Sequence, residues 1–249
     1  MVYVSDDGGR SWARGGVFPR GTREVRLAIL LPRDPEGTPT LHASLRTAWP
    51  CSGASSEHLI EWVTRFPGSL PPAHCRASSR SEEGQAWSAV ASVTRHFEPG
   101  HVHNSPLRPG AGAALTTLPK LGGGEMLLLL HARHPEQARD LSVSISLDGG
   151  HRWSSDLLVW PSHGSLPTLA ALPGGDVVLT ALTTWIDPLE ERQEVEVKAV
   201  PSEMAAGCDP PWSPGACAIV LVRVSRATVE EAAGSRTRIG PWGLPPREL

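Results

Sequence analysis

The sequence predicts an all-β protein of the β-propeller class, and three observations carry the expectation. One eight-residue turn motif recurs along the chain. Glycine and proline, 25 and 24 of 249 residues, are abundant without a collagen-like period, which suits many short strands joined by tight turns. The apolar residues fall into short runs, several alternating with polar ones, and no long helical period is found.

The motif is Ser-x-Asp-x-Gly-x-x-Trp. It reads SDDGGRSW from Ser5 to Trp12 and SLDGGHRW from Ser146 to Trp153. Between them, RSEEGQAW keeps Glu82, Gly84 and Trp87 in register but places Arg80 in the serine slot, as an eroded copy. Successive copies lie about 75 and 66 residues apart, longer than the ~40–45 residues of a compact propeller blade, so inserted loops are expected. Chemically the motif is a self-bonded turn. The Ser and Asp side chains bond N–H groups of their own loop, Gly supplies a positive φ, and Trp packs the turn onto the sheet.

The strands follow in order. Val25 to Leu31 and Thr40 to Leu45 lie after the first motif, and Glu125 to His131 precedes the last. Leu141 to Ile145 and Leu157 to Trp160 flank that last copy and predict a β-hairpin. Leu166 to Leu172, Asp176 to Leu182 and Ala218 to Val224 complete three to four blades' worth of four-stranded sheet. After Val224, the spacing of Thr228-Val229-Glu230-Glu231 matches a capping box and predicts a short helix. Ile239 to Leu249, with three prolines, reads as a tail. The expected organisation is an incomplete propeller over residues 1–225, then helix and tail over 226–249. Fewer than six blades would leave unpaired edges, predicting poor solubility for the isolated chain.

Composition narrows the function. A net charge of -3, with Arg interspersed among Asp and Glu, gives no basic stripe of the kind that neutralises nucleic-acid phosphates. Cys51, Cys75, Cys208 and Cys217 form no close Cys-x-x-Cys pair, which argues against structural zinc. Turn residues between Cys208 and Cys217 would allow a disulfide in an oxidising compartment. His101-Val102-His103 could present two imidazoles on one strand face, yet no third ligand follows in spacing, so a polar pair is the simpler reading. Trp49, Trp62, Trp185 and Trp212 are candidates for sugar stacking, and His134 and His163 for sugar contacts, with packing as the default. No segment reaches the ~20 apolar residues of a membrane helix, and the start at Met1 shows no signal-peptide pattern.

Beyond these motifs the chain resembles the sialidase (neuraminidase) family with its Asp-box repeats, and it is most similar to the lysosomal type of animal sialidase. The residues that carry the resemblance are Gly21-Thr22-Arg23-Glu24-Val25-Arg26-Leu27 with Ser44-Leu45-Arg46, and His134-Pro135-Glu136 leading into the motif at Ser146. Val159-Trp160-Pro161 and Gly164-Ser165-Leu166-Pro167-Thr168-Leu169 continue it. It spans residues 1–225, weakly between Cys51 and His74. It implies a six-bladed fold of which part is present.

It also implies a chemistry. Sialic acid carries a carboxylate on its anomeric carbon, which would repel a carboxylate nucleophile, and sialidases use a tyrosine instead. A glutamate takes the tyrosine proton, three arginines clamp the substrate carboxylate, and an aspartic acid protonates the leaving oxygen. By resemblance, Glu24 is the base and Arg46 the second clamp arginine. Without it, both read as solvated surface groups. The third clamp position falls on Ala138, with Arg139 one residue along. On a strand that step turns the side chain to the opposite face, and a bulge would restore it. The tyrosine position holds Leu166, and the sole tyrosine is Tyr3. The first clamp arginine and the acid aspartate belong to blades ahead of the first motif and are missing from this sequence.

Two functions are therefore expected. One is an exo-α-sialidase-like glycoside hydrolase domain for terminal sialic acids of glycoproteins, glycolipids or oligosaccharides, without turnover of its own because leucine cannot attack an anomeric carbon. The other is a non-catalytic propeller that binds glycans or protein. Neither requires a cofactor or metal, and a lysosomal or secreted setting follows only from the resemblance.

Overall fold

The computed structural model describes residues 2–18, 22–32, 36–47, 74–82, 84, 86–98, 112–120, 123–133, 138–153, 156–183, 198–201 and 218–234. The fold is all-β apart from one helix. A short hairpin, β1 (Tyr3–Val4) with β2 (Ala13–Arg14), precedes two four-stranded antiparallel units. The first contains β3 (Thr22–Leu30), β4 (Thr40–Thr47), β5 (His74–Ser81) and β6 (Ala91–Glu98). The second contains β7 (Ala114–Pro119), β8 (Glu125–Ala132), β9 (Arg139–Ser146) and β10 (Asp156–His163). A single backbone pair, Phe97 with Ala132, joins these two units into one eight-stranded sheet. A separate four-stranded sheet has the order β11 (Ser165–Ala171), β12 (Val177–Thr183), β14 (Ala218–Val224), β13 (Lys198–Pro201).

Each unit begins with a strand at its edge, and those first strands gather. β7 touches both β3 and β11, and Arg26 Nε on β3 donates to the carbonyl of Ala113, just before β7, at 2.8 Å. Sheets whose first strands meet along one line have the layout of a partial β-propeller. No closed ring forms among the described residues.

The sequence explains the packing of the middle unit. β8, EMLLLLHA, is buried on both faces, and Leu127 to Leu130 are fully enclosed. Such enclosure is worth roughly 1.5–3 kcal/mol per side chain. In β9, LSVSIS splits cleanly: Leu141, Val143 and Ile145 join the main core with Leu128, Leu130, Leu179 and Val222. Ser142, Ser144 and Ser146 occupy the other face, also buried.

That serine face meets the first unit through a polar seam. Trp153 of the last motif packs with Ala28, Leu30 and Leu127, and its indole lies edge-on to the rings of His42 and His96. His96 also lies 4.7 Å from the ring of His131. His131 Nδ1 is 2.9 Å from the Ala132 carbonyl and Nε2 is 2.8 Å from Ser144 Oγ, whose hydroxyl donates to Asp156 at 2.5 Å. Burial would raise the Asp156 carboxyl, but His131 at 3.7 Å and the Ser144 hydroxyl hold it well below the usual carboxylate range. Burial, then the charge of Arg80, brings His42 from 6.5 down to about 4, and burial followed by His131 pushes His96 down as well.

The recurring turns are self-bonded. In the first, Gly9 N donates to Ser5 Oγ (2.7 Å), and Arg10 N and Ser11 N donate to Asp7 (both 2.9 Å). Bonds from Ser11 are the main reason the Asp7 carboxyl falls to about 2. In the last, Gly150 N donates to Ser146 Oγ (2.7 Å) and Arg152 N to Asp148 (2.8 Å). The middle copy differs: Ser81 Oγ accepts from Gly84 N at 2.8 Å. Arg80, in the serine slot, leaves its own turn to donate to the Gly149 carbonyl of the last motif at 2.9 Å. The eroded position thus links two turns.

Trp12 corrects an expectation. Its indole donates to Gly9 O at 3.1 Å, yet the ring is 63 % exposed and packs on no sheet among the described residues.

The helix α1 (Arg226–Gly234) starts earlier than the capping-box spacing indicated, with Ser225 as its cap: Thr228 N donates to Ser225 Oγ at 3.2 Å. Asp176 adds a second anchor, accepting from Arg226 N at 3.0 Å and from Arg223 Nε at 2.8 Å. An acid at a helix start satisfies an orphan N–H and the helix dipole together. No described helix is long and apolar enough to cross a membrane.

Candidate functional site

Glu24, Arg139 and Leu166 lie at or near the beginnings of their strands and Arg46 near the end of β4, where the ladders are interrupted. On β3 and β4 the register passes from Arg23–Arg46 to Arg26–Ser44, so three steps on one strand match two on the other. Glu24 sits inside this bulge with φ +43. On β11 and β12 the register passes from Ser165–Leu182 to Thr168–Thr180, the same mismatch, and Leu166 sits inside it with φ +49. On β9 and β10 the pairing skips from Trp160–Leu141 to His163–Arg139, and Asp140, facing the skip, has φ +57. These are the three non-glycine residues of positive φ among the described residues. Each costs about 1–2 kcal/mol, and strain of this kind collects at functional sites.

Glu24 and Arg46 meet directly. Arg46 Nη1 donates to Glu24 Oε1 at 2.7 Å, with the Arg46 side chain 5 % and the Glu24 side chain 37 % exposed. Beneath them lies Arg76, fully buried, opposite Arg46 in the β4–β5 register. Arg76 Nε donates to Ser44 Oγ at 2.8 Å, and Nη2 donates to the carbonyls of Glu24 (3.0 Å) and Ser44 (3.1 Å).

Leu166 is reached through the first strand of the middle unit. Arg26, two residues past Glu24, bonds Ala113. The adjacent Gly112, φ +75, backs onto β11 so closely that a Cβ there would stand 3.4 Å from Pro167 Cδ and 3.8 Å from Leu166 Cα. The positive φ favours glycine here, while a Cβ would make only ordinary van der Waals contact with β11. The Leu166 side chain itself is 56 % exposed.

Arg139 lies on the other side of β11. Gly164 N, one residue before the strand, donates to Ala138 O at 2.7 Å, so the turn into β11 is tied to the residue before Arg139. The Arg139 guanidinium is half-exposed, 4.0 Å from the Asp140 carboxylate. The extra residue of this irregularity lies on β10, opposite Asp140, and not on the strand that carries Arg139.

Among the described residues, then, Glu24 and Arg46 are in contact, Leu166 lies beside Gly112 at the gathered strands, and Arg139 is linked to β11 only through the Gly164–Ala138 bond. Arg76, Arg26, Asp140 and Gly112 escaped sequence reasoning. Arg76 lies in His74-Cys75-Arg76-Ala77-Ser78, which has no apolar alternation to mark a buried strand. His101, His103, His134, Trp49, Trp62, Trp185, Trp212, Cys51, Cys208 and Cys217 lie outside the described residues, as do the side chains of Cys75 and His163. No cluster of three metal-ligating side chains occurs among the described residues.

No family model matches the chain, and no curated protein does. Solved structures do. The NanB sialidase from Streptococcus pneumoniae is 14 % identical, with a TM-score of 0.54 over 91 % of this chain and 27 % of that one. An intramolecular trans-sialidase from Ruminococcus gnavus is 18 % identical, with a TM-score of 0.47 over 72 % of this chain and 32 % of that one. A sialidase from Trypanosoma rangeli is 12 % identical, with a TM-score of 0.46 over 92 % and 27 %. The chain thus spans less than a third of the length of these proteins. The NanB comparison establishes the fold as sialidase-like.

Proposed function

We propose that this chain is a partial six-bladed sialidase-type propeller, three to four blades of it, that binds terminal sialic acid on glycoproteins, glycolipids or oligosaccharides and does not hydrolyse it. The propeller occupies residues 1–225, and 226–249 forms the helix and tail. In this reading Arg46 and Arg139 receive the sugar carboxylate through charge-assisted hydrogen bonds. Glu24, paired with Arg46, stands where a sialidase keeps its general base.

The observation that carries the absence of turnover is Leu166. It stands at the start of β11, on a left-handed backbone beside Gly112, with its side chain open to solvent. In this reading it takes the position that the resemblance gives to the tyrosine nucleophile, and an alkyl side chain offers no oxygen to the anomeric carbon. With no atom to form the covalent intermediate, Glu24 has no phenol proton to accept.

Incubation of the purified chain with a fluorogenic sialoside tests this directly. No release above the uncatalysed rate is expected. Release that disappears in Glu24→Ala would establish an active hydrolase and overturn the reading.

A further inference from the structure

We infer that Arg76 is a positioning residue for the site: its guanidinium holds Glu24 in the left-handed backbone conformation from which the carboxylate reaches Arg46. The inference rests on the proposed site for its functional consequence, but its geometry stands apart from that reading.

The bulge creates the need for such a donor. A residue inserted into one strand loses its ladder partners, so its carbonyl must find a donor elsewhere. Glu24 is such a residue. Arg76 Nη2 supplies that donor at 3.0 Å, from two strands away, across β4. It can do so because Nε is fixed on Ser44 Oγ at 2.8 Å, and Nη2 also bonds the Ser44 carbonyl at 3.1 Å. Ser44 lies two residues from Arg46 and shares its face of β4. Three acceptors on two strands are thus met by one planar fork, which a lysine ammonium cannot reproduce.

Burial makes the fork rigid. Arg76 is fully enclosed, so its hold on Glu24 is made inside the protein, away from solvent. Its bond stabilises a glutamate at φ +43, a conformation that L residues with a Cβ otherwise disfavour. A released Glu24 would relax toward extended backbone and swing its carboxylate off Arg46. The Glu24–Arg46 pair is therefore built from beneath, by a residue the sugar never touches.

The test compares the full chain with Arg76→Lys and with the milder Ser44→Ala, which removes only the anchor of Nε. In the NMR spectrum a positive φ gives Glu24 a strong intraresidue HN–Hα NOE, which an extended residue lacks. Arg76→Lys is expected to abolish that NOE and Ser44→Ala to weaken it, while both variants keep the dispersed amide spectrum of the fold. Methyl α-sialoside affinity should fall by about tenfold in Arg76→Lys, equivalent to about 1.4 kcal/mol. Retention of the NOE in a folded Arg76→Lys chain overturns the inference. If Arg76→Lys unfolds, an unchanged NOE in Ser44→Ala overturns it instead. A lost NOE in a chain that binds no sialoside would leave the positioning role standing and refute the proposed function.

Discussion

Leu166 combines three properties that a packing residue does not have: an exposed alkyl side chain, φ +49, and a glycine pressed against its backbone. Its conformation follows from the bulge in β11, and its side chain makes no use of it. Glycine at this position would remove the left-handed penalty while adding some freedom to the unfolded chain. Leu166→Gly is therefore expected to stabilise the fold by about 0.5–1 kcal/mol in urea unfolding. A loss of stability would show that the leucine side chain packs on something the fold needs. Glu24 shares the strained backbone but is tied to Arg46 and Arg76. Order and local motif singled out Glu24, Arg46, Arg139 and Leu166 as candidates, and of these the fold brings Glu24 and Arg46 into contact. Arg76 and Asp140 could not be read, since a cross-strand register and a bulge decide where they lie.

At the level of elements, the recurring turn does different work in each copy. The last copy is wedged into the seam: a Cβ on Gly150, φ +85, would lie 2.3 Å from His42 Cε1. The first is open, and a Cβ on Gly8, φ +73, meets nothing within 4 Å. Gly8→Ala should thus cost only its backbone strain, about 1 kcal/mol. Gly150→Ala adds a steric clash with a buried ring, and about 3 kcal/mol or more is expected. Equal shifts in the urea midpoint would mean that the last turn is not seated as described. The turn itself was readable because its bonds are local. The strands at Val25, Thr40, Glu125, Leu166, Asp176 and Ala218 were readable by their apolar runs and appear as β3, β4, β8, β11, β12 and β14. β5 was missed because its inward side chains include Arg76, Ser79 and Ser81, which are buried and polar.

For the whole molecule, the seam between the first two units sets the response to acid. One backbone pair and a layer of histidines join them. His42 and His96 both have folded pKa values below the ordinary 6.5, so the unfolded chain binds protons that the folded chain refuses. Stability should therefore decline as the pH falls from about 6.5 toward about 4, with the unfolded state taking up the protons. Asp156 and Asp7, also depressed, hold their contribution above their ordinary 3.8 and lose it only below that value. Urea midpoints measured across this range should already slope in its upper part, above the pH at which carboxylates begin to titrate. A flat profile between pH 6.5 and 4 would contradict the buried histidine layer. The same sheets that enclose it gather the starts of β3, β7 and β11 into one place, and the central claim is that this place recognises a sugar carboxylate. Isothermal titration of the chain with 3′-sialyllactose and, in parallel, with lactose tests that claim most directly. Binding of the sialylated sugar and none of lactose is expected. Equal heats for the two, or no binding of either, would contradict it.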